Sequence, residues 1–204
     1  MPSATPTPEV AGRVDRVLLA EPRGFCAGVE MAIKALAWLV RAFDVPVYCY
    51  HEIVHNKLVV ERFEALGVVF VDDIATVPEG APVMLSAHGS APEVVQRAQE
   101  VGGYTVDAVC PLVTKVHLEV QRHARKGRDI ILIGHKGHPE VIGTLGRHPV
   151  NSDTTISLVE DYEDIEKLKI NSSDIAYVTQ TTLSVDETKG LIEALKVKYP
   201  QIIG

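Results

Sequence analysis

The feature that most constrains this sequence is a repeated succession of a short apolar run, a loop and an amphipathic segment. The run from Ile130 to Ile133 is typical of a strand covered on both faces. Residues 29–43, in contrast, carry apolar side chains at helical spacing. Strands that alternate with helices pair in parallel, because each helix crosses over to the next strand. The sequence therefore predicts an α/β fold with mostly parallel sheets.

The predicted elements follow one another in a regular order. Strands are predicted at residues 14–20, 45–50, 68–71, 82–86, 104–109, 129–134, within 150–159 and at 175–179. Helices are predicted at 29–43, from an Asn56 cap to 66, at 91–100, 112–126, 164–168, and from a Ser184–Glu187 capping box to 199. The order begins again at Leu112. We therefore expect two similar small modules, 14–110 and 111–204, after a Pro-rich disordered tail at 1–13.

Composition excludes several classes of protein. The chain has 204 residues, 46% of them hydrophobic, and a formal charge of −7, with no long cluster of lysine and arginine. Binding to nucleic acid needs a basic surface, so that class is not expected. No apolar run approaches the roughly 18–20 residues of a membrane span. The 3 cysteines are odd in number and widely spaced, which favours reduced thiols over a disulfide framework. We expect a cytoplasmic protein.

Residues that can bind ligands are concentrated in loops that follow predicted strands. In parallel α/β sheets, ligands bind at the carboxyl ends of the strands. Such residues in six loops that follow strands therefore predict a single shared site. Its candidate residues are Cys26, His51, His55, His88, Cys110, His138, Glu140 and Thr181.

The cysteines and the glutamate each have a plainer interpretation. A lone cysteine is more often a small buried hydrophobe than a ligand, and Cys49, inside a predicted strand, is interpreted in that way. Cys26 and Cys110 each precede a helix, whose N-terminus favours a thiolate. From position alone, Cys26 and Cys110 can each be either a buried apolar residue or a ligand. Glu140 is either an ordinary first-turn glutamate or, beside His138, a proton donor.

Residues 51–55 match the H-E-x-x-H motif of zinc metalloproteases. That chemistry requires both histidines on one face of a helix. Here the motif continues a predicted strand, and the helix cap Asn56 follows it. A zinc hydrolase using His51, Glu52 and His55 is therefore a less favoured alternative.

In their order along the chain, these loops resemble the 4-hydroxy-3-methylbut-2-enyl diphosphate reductase family, iron–sulfur reductases of the non-mevalonate isoprenoid pathway. The resemblance extends from Val17 to Gly204. The matching stretches are PRGFCAGV at 22–29, HEIVHN at 51–56, SAHG at 86–89, CPLVTKVH at 110–117, GHKGHPEVIGT at 134–144 and TQTTLSVDET at 179–188.

The resemblance implies an oxidoreductase with three similar α/β modules around a 4Fe-4S cluster. It implies reductive removal of an allylic hydroxyl, which gives isopentenyl and dimethylallyl diphosphate, with electrons from a ferredoxin- or flavodoxin-type protein. By motif position, the cluster ligands are Cys26 and Cys110, and the proton donor is Glu140. The substrate-binding residues implied in the same way are His55, His88, His138 and Thr181.

The sequence ends before the third module that the resemblance implies. That module carries the family's third cluster cysteine, a group of Ser and Asn residues at the diphosphate site, and the strands that pair with the N-terminal strand. We therefore expect a C-terminally truncated fragment, incompetent alone, in which the strand at 14–20 has no partner. The other alternative is a non-catalytic module that retains diphosphate binding without the redox centre.

Overall fold

A computed structural model of the chain describes residues 16–170 and 172–204, which form helices and strands in alternation. The strands are β1 (Val47–Tyr50), β2 (Val68–Val71), β3 (Pro82–Leu85), β4 (Tyr104–Asp107), β5 (Asp129–Ile133), β6 (Ile156–Val159) and β7 (Ile175–Thr179). The helices are α1 (Ala27–Ala42), α2 (Lys57–Glu64), α3 (Pro92–Val101), α4 (Pro111–Arg125), α5 (Pro139–Leu145), α6 (Tyr162–Lys167) and α7 (Val185–Lys198).

The strands form two sheets, and every neighbouring pair within them is parallel. The first sheet has the order β2-β1-β3-β4 and the second the order β6-β5-β7. The prediction of an α/β fold with parallel sheets is confirmed. Helix α4 packs against β5 and β7 of the second sheet. The division of the chain at residues 110 and 111 stays a prediction.

Each sheet is covered by helices on both faces. In β3, Val83 and Leu85 pack with residues of α3, whereas Met84 packs with residues of α1. The side chains of β5 divide in the same way between α7 and α4. Successive side chains of a strand point to opposite faces, so both faces of a doubly covered strand must be apolar. This requirement explains the continuous apolar runs of the sequence.

The two sheets are brought together by close contact between α5 and the loop after β3. A Cβ added to Gly143 would lie 2.6 Å from the carbonyl oxygen of Gly89, so only glycine allows this approach. The Arg147 Nη2 donates to the Ser90 carbonyl oxygen at 2.6 Å. The contact places the loops of both sheets around one region of the molecule.

The predicted strand at residues 14–20 is not formed from residue 16 onward. Val17, Leu18 and Leu19 are 72%, 75% and 69% exposed and make no ladder with another strand of the described residues. A strand needs a neighbour for its backbone groups, and none lies beside this segment in the part of the chain described. Residues 14 and 15 and the predicted tail at 1–13 lie outside the described residues.

Three helix starts, those of α2, α6 and α7, show how the predicted caps and bounds compare with the structure. The Asn56 side chain caps α2 by accepting from the Val59 N–H at 3.2 Å, as predicted. Ser184 precedes α7 but makes no side-chain cap bond, so the predicted capping box is wrong. Instead, the Thr188 hydroxyl donates to the Ser184 carbonyl oxygen at 2.7 Å. Helix α6 begins before residue 164, because the Asp161 side chain caps it.

None of the helices within 16–170 and 172–204 has both the length and the hydropathy that crossing a membrane requires.

Candidate functional site

Loops from both sheets surround a cavity of about 460 Å³. They follow β1, β3, β4 and β7, and the N-terminal ends of α1 and α5 complete the wall. A larger cavity of about 660 Å³ lies between α1 and α2, but none of the predicted site residues lines it. The smaller cavity is lined by six of those predicted residues, namely Cys26, His55, His88, Cys110, Glu140 and Thr181.

The two cysteines of the cavity lie on either side of one glycine. Cys26 and Cys110 occupy the N-cap positions of α1 and α4, and neither side chain bonds a helix N–H. A Cβ added to Gly28 would lie 2.7 Å from the Cys110 Sγ and 4.0 Å from the Cys26 Sγ. Both thiols are free. The glycine therefore leaves room beside two sulfur atoms, which are ligands that soft metals prefer.

Cys49 is separate from this pair. It lies in β1, where it pairs with Phe70 and Met84, and its exposed fraction is 0%. Burial raises the pKa of the Cys49 thiol. A thiol in this position packs as a small apolar side chain, as the sequence predicts.

Three imidazoles meet although they come from different loops. The rings of His55 and His88 stack with their centroids 4.1 Å apart. The Nε2 atoms of His55 and His138 are 3.1 Å apart, which is hydrogen-bond distance. Because His138 precedes α5 and the other two follow strands of the first sheet, this group joins the two sheets at the cavity.

His88 is the most deeply buried of the three, with 9% of its surface exposed. Its Nδ1 lies 3.2 Å from the Ser86 hydroxyl. Burial, followed by the positive charges that His55, His138 and His51 can carry, lowers the pKa of His88 to about 3. Burial also lowers the pKa of His138, with contributions from His55 and His135. His88 is therefore neutral at pH 7 and acts through hydrogen bonds rather than charge.

Glu140 is 2% exposed and is held by one residue of the loop that follows β7. Its carboxylate accepts from the Thr181 N–H at 2.7 Å and from the Thr181 hydroxyl at 2.9 Å. Burial raises the pKa of Glu140, although these two hydrogen bonds act to lower it. A carboxyl group with a raised pKa on the wall of a cavity is suited to proton donation.

The geometry of the H-E-x-x-H segment differs from that of a zinc protease. His51 has a left-handed backbone with φ 59°, and α2 begins only at Lys57, so the two histidines do not share a helix face. The Nδ1 of His51 lies 3.1 Å from an Asp72 carboxylate oxygen instead. In the part of the chain that is described, no three His, Cys, Asp or Glu side chains are grouped to hold a metal ion.

The sequence did not single out three residues that shape the site. Gly28 separates the cysteines, Ser86 contacts His88, and the Gln180 Oε1 accepts from the His135 N–H at 3.0 Å. Gln180 is 3% exposed, so its amide fixes the loop after β5 against the loop that carries Thr181. Each of the three lies within two positions of a predicted site residue in the sequence. That closeness was the signal by which they could have been found.

Comparisons with known proteins place this chain and its fold in one family. The LytB protein family matches residues 17–204. A protein of Actinobacillus pleuropneumoniae named 4-hydroxy-3-methylbut-2-enyl diphosphate reductase is 53% identical over 189 residues, which cover 92% of this chain and 60% of the relative. A protein of the same name from Methylococcus capsulatus is 49% identical with the same coverage. The chain thus spans about 60% of the length of the curated relatives it matches.

Two solved structures share the fold. The E-1-hydroxy-2-methyl-but-2-enyl-4-diphosphate reductase of Plasmodium falciparum superposes with a TM-score of 0.83 at 40% identity, over 90% of this chain and 57% of its own. An (E)-4-hydroxy-3-methyl-but-2-enyl diphosphate reductase, described as the terminal enzyme of the non-mevalonate pathway, gives a TM-score of 0.74 at 31% identity, over 92% and 65%. With its family match running from residue 17 to residue 204, the chain belongs to the LytB protein family.

Proposed function

We propose that this chain forms the substrate cavity and supplies two cluster ligands of a 4-hydroxy-3-methylbut-2-enyl diphosphate reductase, an oxidoreductase of isoprenoid biosynthesis. One observation carries the proposal. Two free thiols, two imidazoles and a buried glutamate line the same cavity. The name shared by the curated relatives supplies the reaction.

Cys26 and Cys110 would hold a 4Fe-4S cluster. The space that a Cβ at Gly28 would fill lies beside both sulfur atoms, and neither thiol is used in a helix cap. When bound, such a cluster supplies electrons and an iron without a protein ligand that acts as a Lewis acid. Cys49 is a poor third ligand, because it is buried within β1. The chain by itself therefore offers two of the three thiolates.

His55, His88 and His138 would bind the diphosphate. Each imidazole can donate an N–H to an anionic oxygen. The three rings contact one another beside the cavity, and His55 and His88 line it. Thr181 would lie beside the substrate. A cavity of about 460 Å³ accommodates a small allylic diphosphate. Holding both ends of the substrate fixes the allylic carbons, an effect that lowers the barrier by several kcal/mol.

Glu140 would donate the proton that allows the hydroxyl to leave. Hydroxide is a poor leaving group, whereas water is a good one, so the C–O bond breaks after protonation. Two electrons and two protons in total convert the allylic alcohol to a hydrocarbon end and water. Thr181 holds the carboxyl in place for this transfer. A ferredoxin- or flavodoxin-type protein would supply the electrons.

Anaerobic reconstitution of the 204-residue chain, followed by counts of iron and sulfide, tests this proposal. We expect less than one cluster per chain, lost on desalting, because two thiolates do not complete the ligand set. Cys26→Ser should lower the bound iron further, and Cys49→Ala should leave it unchanged. A stable, stoichiometric cluster would contradict the proposed dependence on a third thiolate from outside this chain.

The three imidazoles also support the alternative of a diphosphate-binding module without a redox centre. Calorimetry with (E)-4-hydroxy-3-methylbut-2-enyl diphosphate on the cluster-free chain separates the two functions. The reductase proposal predicts weak binding, since the family's Ser and Asn group lies in the third module. Tight binding that His88→Ala abolishes would favour the binding module instead.

A further inference from the structure

We propose that Ser90, His117 and Arg147 form a buried polar site between the two sheets that binds one water molecule. Through this site, His117 acts as a positioning residue for the loop after β3, which carries His88. The water site stands on the geometry of the three side chains. The positioning role rests also on the proposed function, which puts a diphosphate at His88.

The imidazole of His117 supports the backbone of the loop after β3. His117 lies on α4 and is 5% exposed. Gly89, the residue directly after His88, has a left-handed backbone with φ 77°. A Cβ added to Gly89 would lie 2.7 Å from the His117 Cε1. The backbone of the loop therefore lies directly against this ring, an approach that only glycine allows.

Arg147 contacts the same loop from the end of α5. Its Nη2 donates to the Ser90 carbonyl oxygen at 2.6 Å. A Cβ added to Gly143 of α5 would lie 3.4 Å from the Ser90 Cα. Because Ser90 follows Gly89 directly, the side chains of Ser90, His117 and Arg147 come from three different elements to one small region.

Each of these three residues has a buried polar atom without a partner. The Ser90 hydroxyl, the His117 Nε2 and the Arg147 Nε form no hydrogen bond with any group of residues 16–170 and 172–204. Ser90 is only 3% exposed. Buried polar groups in folded proteins are paired with protein or with ordered water, because an unpaired group loses the hydrogen bonds that solvent made to it. Three such atoms in one region therefore indicate a bound ligand.

The donors and acceptors of the site match a water molecule. An arginine Nε only donates, so its partner must accept, whereas a serine hydroxyl and a neutral imidazole nitrogen can each donate or accept. One water can accept from the Arg147 Nε–H, donate to the Ser90 hydroxyl and pair with the His117 Nε2 in either tautomer. A direct bond between Ser90 and His117 would leave the Arg147 Nε–H unpaired.

The charges around the site favour a neutral ligand. Burial, followed by the positive charge of Arg147, lowers the pKa of His117 to about 4, so this ring is neutral at pH 7. Burial lowers the pKa of Arg147, whereas the nearby carboxylates of Asp107 and Glu93 act to raise it. An anion would be repelled by these two carboxylates, and a cation would be repelled by Arg147. A water molecule meets neither repulsion.

The site lies close to one ring of the proposed diphosphate site. His117 itself does not line the cavity of about 460 Å³. On the other side of His88, the Ser86 hydroxyl holds the loop through its contact with the His88 Nδ1 at 3.2 Å. The loop is thus held on both sides of His88. Loss of the contacts at His117 should let the His88 ring move, which would weaken anion binding without removing any group that touches the anion.

A high-resolution crystal structure of the 204-residue chain tests the water site. We expect one ordered water at hydrogen-bond distance, about 2.7–3.2 Å, from the Ser90 Oγ, the His117 Nε2 and the Arg147 Nε. An ion in its place, or direct protein partners for all three atoms, would overturn the site.

Titration with inorganic diphosphate, followed by NMR of the histidine side chains, tests the positioning role. We expect His117→Leu to weaken binding by about tenfold, because the loop loses the equivalent of one hydrogen bond. His117→Gln should recover most of this loss, since its side-chain amide can reach the water from nearly the same place. Ser90→Ala removes one partner of the water and should weaken binding by about threefold.

His123→Leu is the matched control. His123 lies on the same helix as His117, is also 5% exposed, and has a buried nitrogen, Nδ1, that makes no hydrogen bond in the part of the chain described. It does not line the cavity. Thermal unfolding is measured for every variant. His123→Leu should bind diphosphate as the unchanged chain does, whatever its effect on stability.

The outcomes separate the two proposals. Reduced stability with unchanged affinity in His117→Leu, or an equal loss of affinity in His123→Leu, would overturn the positioning role and leave the proposed diphosphate site intact. If His117→Leu does not fold, unchanged affinity in Ser90→Ala would overturn it instead. No binding of inorganic diphosphate to the unchanged chain at millimolar concentration would contradict the diphosphate site and the positioning role together, whereas the crystal structure decides the water site by itself.

Discussion

The two sides of the cavity differ in how far the protein has already organised them. The cysteine side consists of Cys26 and Cys110, whose thiols are free and cap no helix. The histidine–glutamate side consists of His55, His88, His138, Glu140 and Thr181. Their polar atoms bond to one another, to the Ser86 hydroxyl or to backbone N–H groups.

Three N-cap positions show the difference most directly. His138 occupies the N-cap of α5 and accepts from its first turn, whereas the two cysteines occupy the same position on α1 and α4 without doing so. A thiol is a weak acceptor and a poor cap. The histidine–glutamate side is thus preorganised by its own hydrogen bonds. The sulfur atoms of the cysteine side make no cap hydrogen bond and are available to bind a ligand. Changes on the first side should cost stability, and changes on the second should cost metal binding alone.

Acidification should have the largest effect, and it acts on the histidine–glutamate side. The pKa of His88 is lowered to about 3, so the unfolded chain takes up this proton near pH 6.5 and the folded chain does not. Stability is therefore lost as pH falls from about 6.5 towards 3. We expect a loss of about 3 kcal/mol from this group between pH 7 and pH 4, measured by urea unfolding. An equal loss in His88→Asn would show that another group is responsible.

Glu140→Ala should have the next largest effect. It leaves the Thr181 N–H without its buried acceptor and opens a small cavity. Both effects together should lower the free energy of unfolding by about 2 kcal/mol at pH 7. Glu140→Gln should cost less, because the amide oxygen still accepts. A cost as large for Glu140→Gln as for Glu140→Ala would argue against the hydrogen bond as the cause.

The pH dependence of Glu140 has the opposite sign to that of His88. Its pKa is raised in the folded chain, so the stability it contributes is complete below the unfolded value and is lost as pH rises through the folded value. Glu140→Gln should therefore become more stable relative to the unchanged chain as pH rises from 4 to 8. Urea unfolding across that range measures the difference, and an unchanged difference would contradict the raised pKa.

Thr181→Val should cost about 1 kcal/mol in urea unfolding. It removes the hydroxyl that donates to Glu140 and keeps the backbone N–H that also donates. Thr181→Ser retains the hydroxyl and should recover most of the loss. If serine does not recover it, the methyl group rather than the hydrogen bond carries the stability.

Cys26→Ala should have the smallest effect on stability, within about 0.5 kcal/mol, because the thiol is exposed and caps nothing. Thermal unfolding of the metal-free chain measures it. A loss comparable to that of Glu140→Ala would remove the contrast between the two sides.

Much of the fold could be predicted from sequence, because it depends on local patterns. The apolar run in β5 and the Asn56 cap are both set within a few residues. The segment from Val17 to Leu19 has an equally apolar pattern but forms no strand, since a strand depends on a neighbour that local sequence does not encode.

For the site, the sequence indicated which residues line the cavity, but it did not indicate which of them contact one another. His55 and Glu140 line one cavity, as the strand-end loops predicted, although they follow strands of different sheets, β1 and β5. The approach of Gly143 to Gly89 and the pairing of His55 with His138 join residues far apart in sequence. Such contacts depend on how the two sheets pack, and no local pattern specifies that packing.

Iron K-edge absorption spectroscopy of the chain, loaded anaerobically with ferrous iron and no added sulfide, tests most directly whether Cys26 and Cys110 bind iron. The chain, a Cys26→Ala/Cys110→Ala double variant and Cys49→Ala are compared at equal iron loading. We expect iron–sulfur scattering from protein thiolates in the chain and in Cys49→Ala, and its loss in the double variant. Equal sulfur scattering in all three proteins would show that Cys26 and Cys110 are not the iron ligands.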